Sequence, residues 1–150
     1  MGKRRRSREL ALQALYQRDI TGQEGVRGLA QLREHLSPEE GDDEFADRLV
    51  RGVLEHGQEI DQVIEEHSEN WRLERMPAVD RNILRIATFE LLHCEEIPPK
   101  ATLNEAIQLG KRFGSEESGS FINGILDRIL SRSVTQKPSQ NEKCKVQNAK

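Results

Sequence analysis

The sequence predicts an all-α protein of about seven helices. Apolar residues recur at helical spacing through most of the chain, and no segment alternates apolar and polar residues as a half-buried strand does. The composition, 35% hydrophobic and 33% charged, fits a small helical protein with wide solvated faces. A chain of 150 residues is long enough to bury a real core in one domain, which we place at 1–132.

The first helix is predicted over residues 3–20, because this span is rich in strong helix formers and contains neither Gly nor Pro. Its apolar residues fall on one face, which should anchor it in the core. The first eight residues, MGKRRRSR, form a basic arm that runs into this helix. The cations of the basic arm are Lys3, Arg4, Arg5, Arg6 and Arg8.

The next three helices are bounded by glycine and proline signals. A short helix is predicted over 26–36, ended by Ser37-Pro38, and another runs from the acidic stretch 39–44 to about His56. Gly57 then separates it from a helix that carries Ile60 and Ile64.

The last three helices include the most apolar one. Residues 77–94 should form a central helix with Pro77 in its first turn. Thr102 and Glu105 predict a capping box at the start of the next helix, which ends near Gly114. The final helix spans 118–132, and the polar segment 133–150 is predicted to be a disordered tail.

The charge of the basic arm contrasts with an acidic remainder. Because the whole chain carries −3, the five cations of the arm leave −8 for the other 142 residues. Such asymmetry favours a polyanionic partner, most simply nucleic acid, whose phosphates arginine grips with a planar fork. A solvating tail, a localisation signal and an anionic membrane surface remain alternatives. Tyr16 could offer a ring for base stacking, or it could lie at the edge of the core.

The residue patterns of an enzyme are missing from the sequence. There is no phosphate-binding glycine loop, and the four histidines lack metal-ligand spacing with one another. Cys94 falls near a helix C-terminus, where the dipole disfavours a thiolate. We therefore predict no catalytic residue, no metal and no cofactor. No apolar run approaches the ~20 residues of a membrane span, so we expect a soluble, cytoplasmic protein without a disulfide framework.

Three further positions stand out. Asp80 opens the apolar stripe of the central helix, where it could either stabilise the first turn or contact a partner. Together with Glu74, just upstream, it would form an acidic docking point for a basic protein. Gly124 lies inside the last helix at a cost of about 1 kcal/mol relative to alanine, so we expect another backbone to approach it closely.

Four blocks of this sequence, in order, resemble the NusB family of bacterial transcription antitermination factors. They read RRRSRELALQALYQ, WRLERMPAVDRNILRIATFELL, IPPKATLNEAIQLGKRFG and ESGSFINGILDRIL. The resemblance implies two small helical subdomains and no catalysis. It also implies that the chain binds single-stranded boxA RNA of nascent transcripts, chiefly from ribosomal RNA operons, together with ribosomal protein S ten (NusE). The pair then promotes read-through by RNA polymerase.

The resemblance also implies roles for individual residues. It assigns RNA contact to Arg4, Arg5, Arg6 and Arg8, aromatic contact near RNA and partner to Tyr16 and Phe121, and partner contact to Glu74, Asp80 and Glu117. The chain departs from the family pattern at Gly119-Ser120, where relatives often carry a basic or larger residue, and at Gly110, where alanine is common.

Two rival functions and two oligomeric states stay open at this point. The acidic body could act as a protein-only scaffold for the ribosomal protein, as in ribosome assembly, or the chain could be an RNA-modifying or nucleolytic enzyme. Family members occur as monomers and as homodimers, and nothing in the sequence decides between them.

Overall fold

The computed structural model describes residues 3–21, 43–69 and 71–136. These residues form helices joined by turns and irregular segments, and they contain no β-strand. It contains helices α1 (Lys3–Thr21), α2 (Asp43–Glu55), α3 (Gly57–Glu66), α4 (Ala78–His93), α5 (Pro99–Phe113) and α6 (Ser118–Gln136). A 3-10 turn spans Leu73–Arg75. The all-α prediction is confirmed, whereas the helix predicted over 26–36 lies outside the described residues.

Helix α4 is central, as its apolar sequence predicted. It packs against each of the other five helices, while α1 packs with α2 and α5 packs with α6. Ile83, Leu84 and Ile86 are almost completely buried within it. The described helices share one continuous hydrophobic core. None of the described helices is both long and apolar enough to cross a membrane.

Helices α1 and α4 run antiparallel, which places the basic arm beside the C-terminal half of α4. Arg8 near the start of α1 contacts Glu90 late in α4, and Asp19 near the end of α1 contacts Arg81 early in α4. Burial alone would raise the pKa of Asp19, but hydrogen bonds from Arg81 and Asn82 outweigh it and lower that pKa. Asp19 therefore fixes the far end of the α1–α4 pair.

Two local predictions are wrong. Helix α5 begins at Pro99 with no side-chain cap, and the Thr102 hydroxyl donates instead to Glu90 of α4 at 2.8 Å. A Cβ at Gly124 would meet nothing within 4 Å among the described residues, so no backbone of that part of the chain approaches this glycine. Backbone of α6 does approach Gly110, where a Cβ would lie 3.4 Å from Gly119 N and 2.9 Å from the Ile122 side chain.

The last helix extends further than predicted. Helix α6 continues to Gln136, past the boundary we set at residue 132. The remainder of the predicted tail, 137–150, lies outside the described residues and stays a prediction.

Candidate nucleic-acid interface

Two cations of the basic arm, Lys3 and Arg4, lie on the surface. Both belong to the first turn of α1. The Arg4 guanidinium lies 4.9 Å from the centroid of the Phe45 ring of α2, a cation–π contact that orients it. Their positive charge is available to an anionic ligand.

Arg5 and Arg6 are paired with carboxylates of the folded domain. Arg5 donates two hydrogen bonds of 2.9 Å to the carboxylate of Glu105 on α5. Arg6 donates to Glu9, one turn along α1, at 2.7 Å. The hydrogen bond from Arg5 is the main cause that lowers the pKa of Glu105. These carboxylates offset the unfavourable placement of cations at a helix N-terminus.

Arg8 has a structural partner and does not reach the surface. Its side chain is 7% exposed and that of Glu90 is 1% exposed. The two form a bidentate pair, with contacts of 2.7 and 2.8 Å, and Thr102 supplies a further hydrogen bond to Glu90. We therefore do not count Arg8 among the residues available to RNA, in contrast to the sequence prediction, because its guanidinium is enclosed between α1, α4 and α5.

A groove of about 350 Å³ lies between α1 and α5 and continues the basic surface. Arg5, Glu105, Glu9 and the α5 residues Lys111 and Arg112 are among its lining residues. Arg112 contacts Glu9 at 2.6 Å, yet its side chain is 61% exposed. The positive charge therefore extends from the arm to the end of α5.

Lys111 joins this surface to the start of α6. Its aliphatic stem passes Gly119 so closely that a Cβ there would lie 3.3 Å from Lys111 Cγ. Sequence reasoning missed Lys111 and Arg112, because two cations in the last turn of a helix are commonplace. Their nearness to the arm depends on how α5 packs, which no local pattern reports.

The predicted aromatic residues occupy different settings. Tyr16 is 40% exposed on α1, about 20 Å along the helix from Lys3. Phe121 is partly buried on α6 and packs edge-on against Trp71, with ring centroids 5.6 Å apart. Trp71 is 46% exposed and was not predicted as a site residue. Together with Phe121 it forms an accessible aromatic pair.

The acidic residues predicted to meet a partner do not share one environment. Glu74 and Glu117 are exposed. Asp80 is only 4% exposed and accepts a hydrogen bond of 2.7 Å from Ser118 Oγ, which itself accepts from the Ser115 N–H. Burial raises the pKa of Asp80 against the opposing effect of Ser118. Asp80 therefore holds the start of α6 in place and does not itself present a charge to a partner.

Cys94 has the properties of a structural residue. It is 2% exposed, and burial is the main cause that raises the pKa of its thiol to about 11. A thiol in this state is a weak nucleophile at neutral pH.

Comparison with known families identifies the fold. A sequence model of the NusB family matches residues 5–131. The chain belongs to the NusB family. It is 50% identical over 129 residues to the transcription antitermination protein NusB of Desulfatibacillum aliphaticivorans, covering 86% of this chain and 90% of that protein. It is 52% identical over 132 residues to NusB of Geobacter sulfurreducens, covering 87% and 96%.

Solved structures of NusB proteins have the same architecture. A crystal form of T. maritima NusB superposes with a TM-score of 0.76 at 40% identity, covering 87% of this chain and 92% of that one. NusB from a complex of the antitermination factors NusB and NusE with double-stranded RNA superposes with a TM-score of 0.75 at 27% identity, covering 85% and 96%. The family resemblance seen in the four sequence blocks is confirmed.

Proposed function

We propose that this chain is a non-catalytic, cytoplasmic transcription antitermination factor. It binds boxA RNA of nascent ribosomal RNA transcripts together with ribosomal protein S ten (NusE) and helps RNA polymerase read through terminators. The observation that carries this proposal is membership of the NusB family over residues 5–131, with curated relatives named as transcription antitermination proteins.

The basic surface supports the RNA half of the proposal. Lys3, Arg4, Lys111 and Arg112 offer exposed charge, and Arg5 keeps 42% of its side chain exposed although it pairs with Glu105. A phosphate can compete with a carboxylate for such a partly exposed guanidinium, because both accept the same forked pair of hydrogen bonds. Arg6, 32% exposed beside Glu9, belongs to the same surface.

The aromatic residues supply the surface on which bases could stack. Tyr16 on α1 and Phe121 with Trp71 present exposed or half-exposed rings. Besides contacts to its phosphates, single-stranded RNA is usually bound by stacking of its bases on aromatic side chains. We assign base contact to these three residues and phosphate contact to the cations.

The exposed carboxylates of Glu74 and Glu117 are proposed to bind the basic partner, ribosomal protein S ten. Glu74 and Glu117 are exposed, and Glu117 directly precedes the start of α6 that Asp80 holds through Ser118. We assign direct contact with ribosomal protein S ten to Glu74 and Glu117, and a supporting position to Asp80. Exposed charges of this kind set the orientation and the association rate of a complex more than its affinity.

Fluorescence anisotropy with a labelled boxA-type RNA tests the RNA assignment. A scrambled single strand and a duplex of the same sequence serve as matched probes, each with and without purified ribosomal protein S ten. Tighter binding to the boxA strand in the presence of the partner supports the proposal. Equal binding of all three probes, unaffected by the partner, would favour the protein-scaffold alternative.

A charge-reversal pair tests the partner surface separately. Glu74→Lys with Glu117→Lys should weaken binding of ribosomal protein S ten, measured by calorimetry, and leave the affinity of the arm for RNA unreduced. Glu55→Lys with Glu66→Lys makes the same change in charge at exposed positions of α2 and α3. Equal loss of partner binding in both double variants would show that only net charge matters.

A further inference from the structure

Three side chains able to bind a metal converge where α2, α3 and the end of α4 meet. His56 lies between α2 and α3, Glu59 lies in the first turn of α3, and His93 is the last residue of α4. One oxygen of Glu59 is 3.0 Å from His93 Nε2 and 3.7 Å from His56 Nδ1. One ligand atom from each residue can be chosen so that all three lie within 4.8 Å of one another. The sequence spacing of the histidines gave no sign of this, because 37 positions separate His56 from His93.

Packing positions the two imidazoles. Their rings stack with centroids 4.1 Å apart and planes 20° from parallel. The Phe89 ring lies beside both, 5.5 Å from His93 and 6.1 Å from His56. The Phe89 ring packs directly against Gly52 of α2, and it fills the space that a larger residue there would need, since a Cβ at Gly52 would lie 2.1 Å from the ring. The fold therefore brings both imidazoles to this junction, in addition to their contact with Glu59.

We propose that His56, Glu59 and His93 bind one divalent transition-metal ion, with Zn²⁺ the best suited. Two imidazole nitrogens and one carboxylate oxygen are a ligand set that zinc accepts. Tetrahedral zinc with ligand distances near 2.0–2.1 Å holds its ligand atoms about 3.4 Å apart. The two contacts of Glu59 lie on either side of that value. Because the two rings lie 20° from parallel, both must turn before their nitrogen lone pairs converge on one ion.

The remaining coordination position faces solvent. The side chains of His56, Glu59 and His93 are 39%, 52% and 30% exposed, so an ion can enter without unfolding and keep a water ligand. The bound ion would tie the α2–α3 junction to the end of α4. Because it binds the folded chain in preference to the unfolded one, it should raise the thermal unfolding midpoint.

Calorimetric titration of the full chain, without an affinity tag, with zinc chloride tests the proposal. We expect one ion per chain, and affinity reduced about tenfold or more by His56→Gln or by His93→Gln. Glu59→Gln should weaken binding less, because it leaves both nitrogens in place. Glu66→Gln is the matched control, an exposed carboxylate on the same helix about 10 Å along the axis, and should bind as the wild type does.

A second titration with Co²⁺ identifies the ligands. Absorption bands of a nitrogen and oxygen site, lost in the two histidine variants, support the proposal. Thiolate charge-transfer bands would overturn it in favour of a cysteine site, as would the absence of binding or unchanged affinity in His93→Gln. Circular dichroism spectra verify that each variant is folded, and Glu59→Gln, a conservative change at an exposed position, keeps the test open if a histidine variant fails to fold.

Discussion

At the residue scale, Arg8 and Glu90 form the buried ion pair that joins the basic arm to α4. Removing one partner of such a pair leaves an uncompensated charge in the core. We expect Arg8→Met to lower the free energy of unfolding by about 3–5 kcal/mol, measured by urea denaturation. The double variant Arg8→Met/Glu90→Met should recover much of that loss, because it removes both charges. If Arg8→Met unfolds at the wild-type urea concentration, the pair contributes little and Arg8 is free to act elsewhere.

Asp80 should make stability depend on pH in a direction opposite to that of most carboxylates. Burial raises its pKa in the folded protein above the ordinary 3.8, so the folded state holds the proton more tightly than the unfolded state. Its contribution to stability is full below pH 3.8 and is lost as pH rises through the folded pKa. Asp80→Asn stays neutral and can still accept the hydrogen bond from Ser118.

As pH rises from below 3.8 through the folded pKa of Asp80, the wild type should lose stability relative to Asp80→Asn. The unfolding free energy of the variant minus that of the wild type should therefore increase with pH. Urea denaturation at a series of pH values measures it. Glu117→Gln removes an exposed carboxylate nearby and is the control, which we expect to show no comparable trend. A constant difference between Asp80→Asn and the wild type at every pH would contradict the assignment.

At the element scale, the helices follow from local sequence far better than their ends and contacts do. The span of α1 and the central place of α4 come from apolar periodicity, which is a property of neighbouring residues. Thr102 was misassigned because its spacing to Glu105 fits a capping box, while its real partner, Glu90, lies on another helix. The prediction for Gly124 was wrong for the same reason: tertiary packing decides which residues of another helix lie opposite a glycine, and the local sequence does not report it.

The helical glycines provide a matched test of packing at this scale. Gly124→Ala meets open space and should raise the free energy of unfolding by about 0.5–1 kcal/mol through helix propensity alone. Gly52→Ala would put its methyl group 2.1 Å from the Phe89 ring, so it should lower the free energy of unfolding by about 1–3 kcal/mol. Urea denaturation of both variants is the measurement. Equal effects of the same sign would mean that the α2–α4 contact does not pack as described.

At the scale of the whole molecule, the positive arm and the acidic body are parts of one charge arrangement. Glu9, Glu90 and Glu105 pair with arginines of the arm, so the fold uses part of the body's negative charge to hold the arm in place. The sequence predicted the basic arm and the aromatic Phe121 as site residues, and apart from Arg8, which the fold buries, these assignments remain proposals. It could not predict Lys111 and Arg112 as neighbours of the arm, because 100 or more residues separate each from the arginines it approaches.

The salt dependence of RNA binding tests whether Lys111 and Arg112 belong to the same surface as the arm. If these two and the arm cations Lys3, Arg4, Arg5 and Arg6 each neutralise one phosphate of a single strand, log affinity should fall with log salt at a slope of about −4. The double variant Lys111→Ala/Arg112→Ala should bring the slope to about −3, since two phosphate contacts are lost. Arg132→Ala changes an exposed cation near the far end of α6, about 16 Å along the helix from Phe121, and should leave the slope unaltered. An unchanged slope in the double variant would confine RNA contact to the arm, whereas a slope near zero in the wild type would contradict the electrostatic account as a whole.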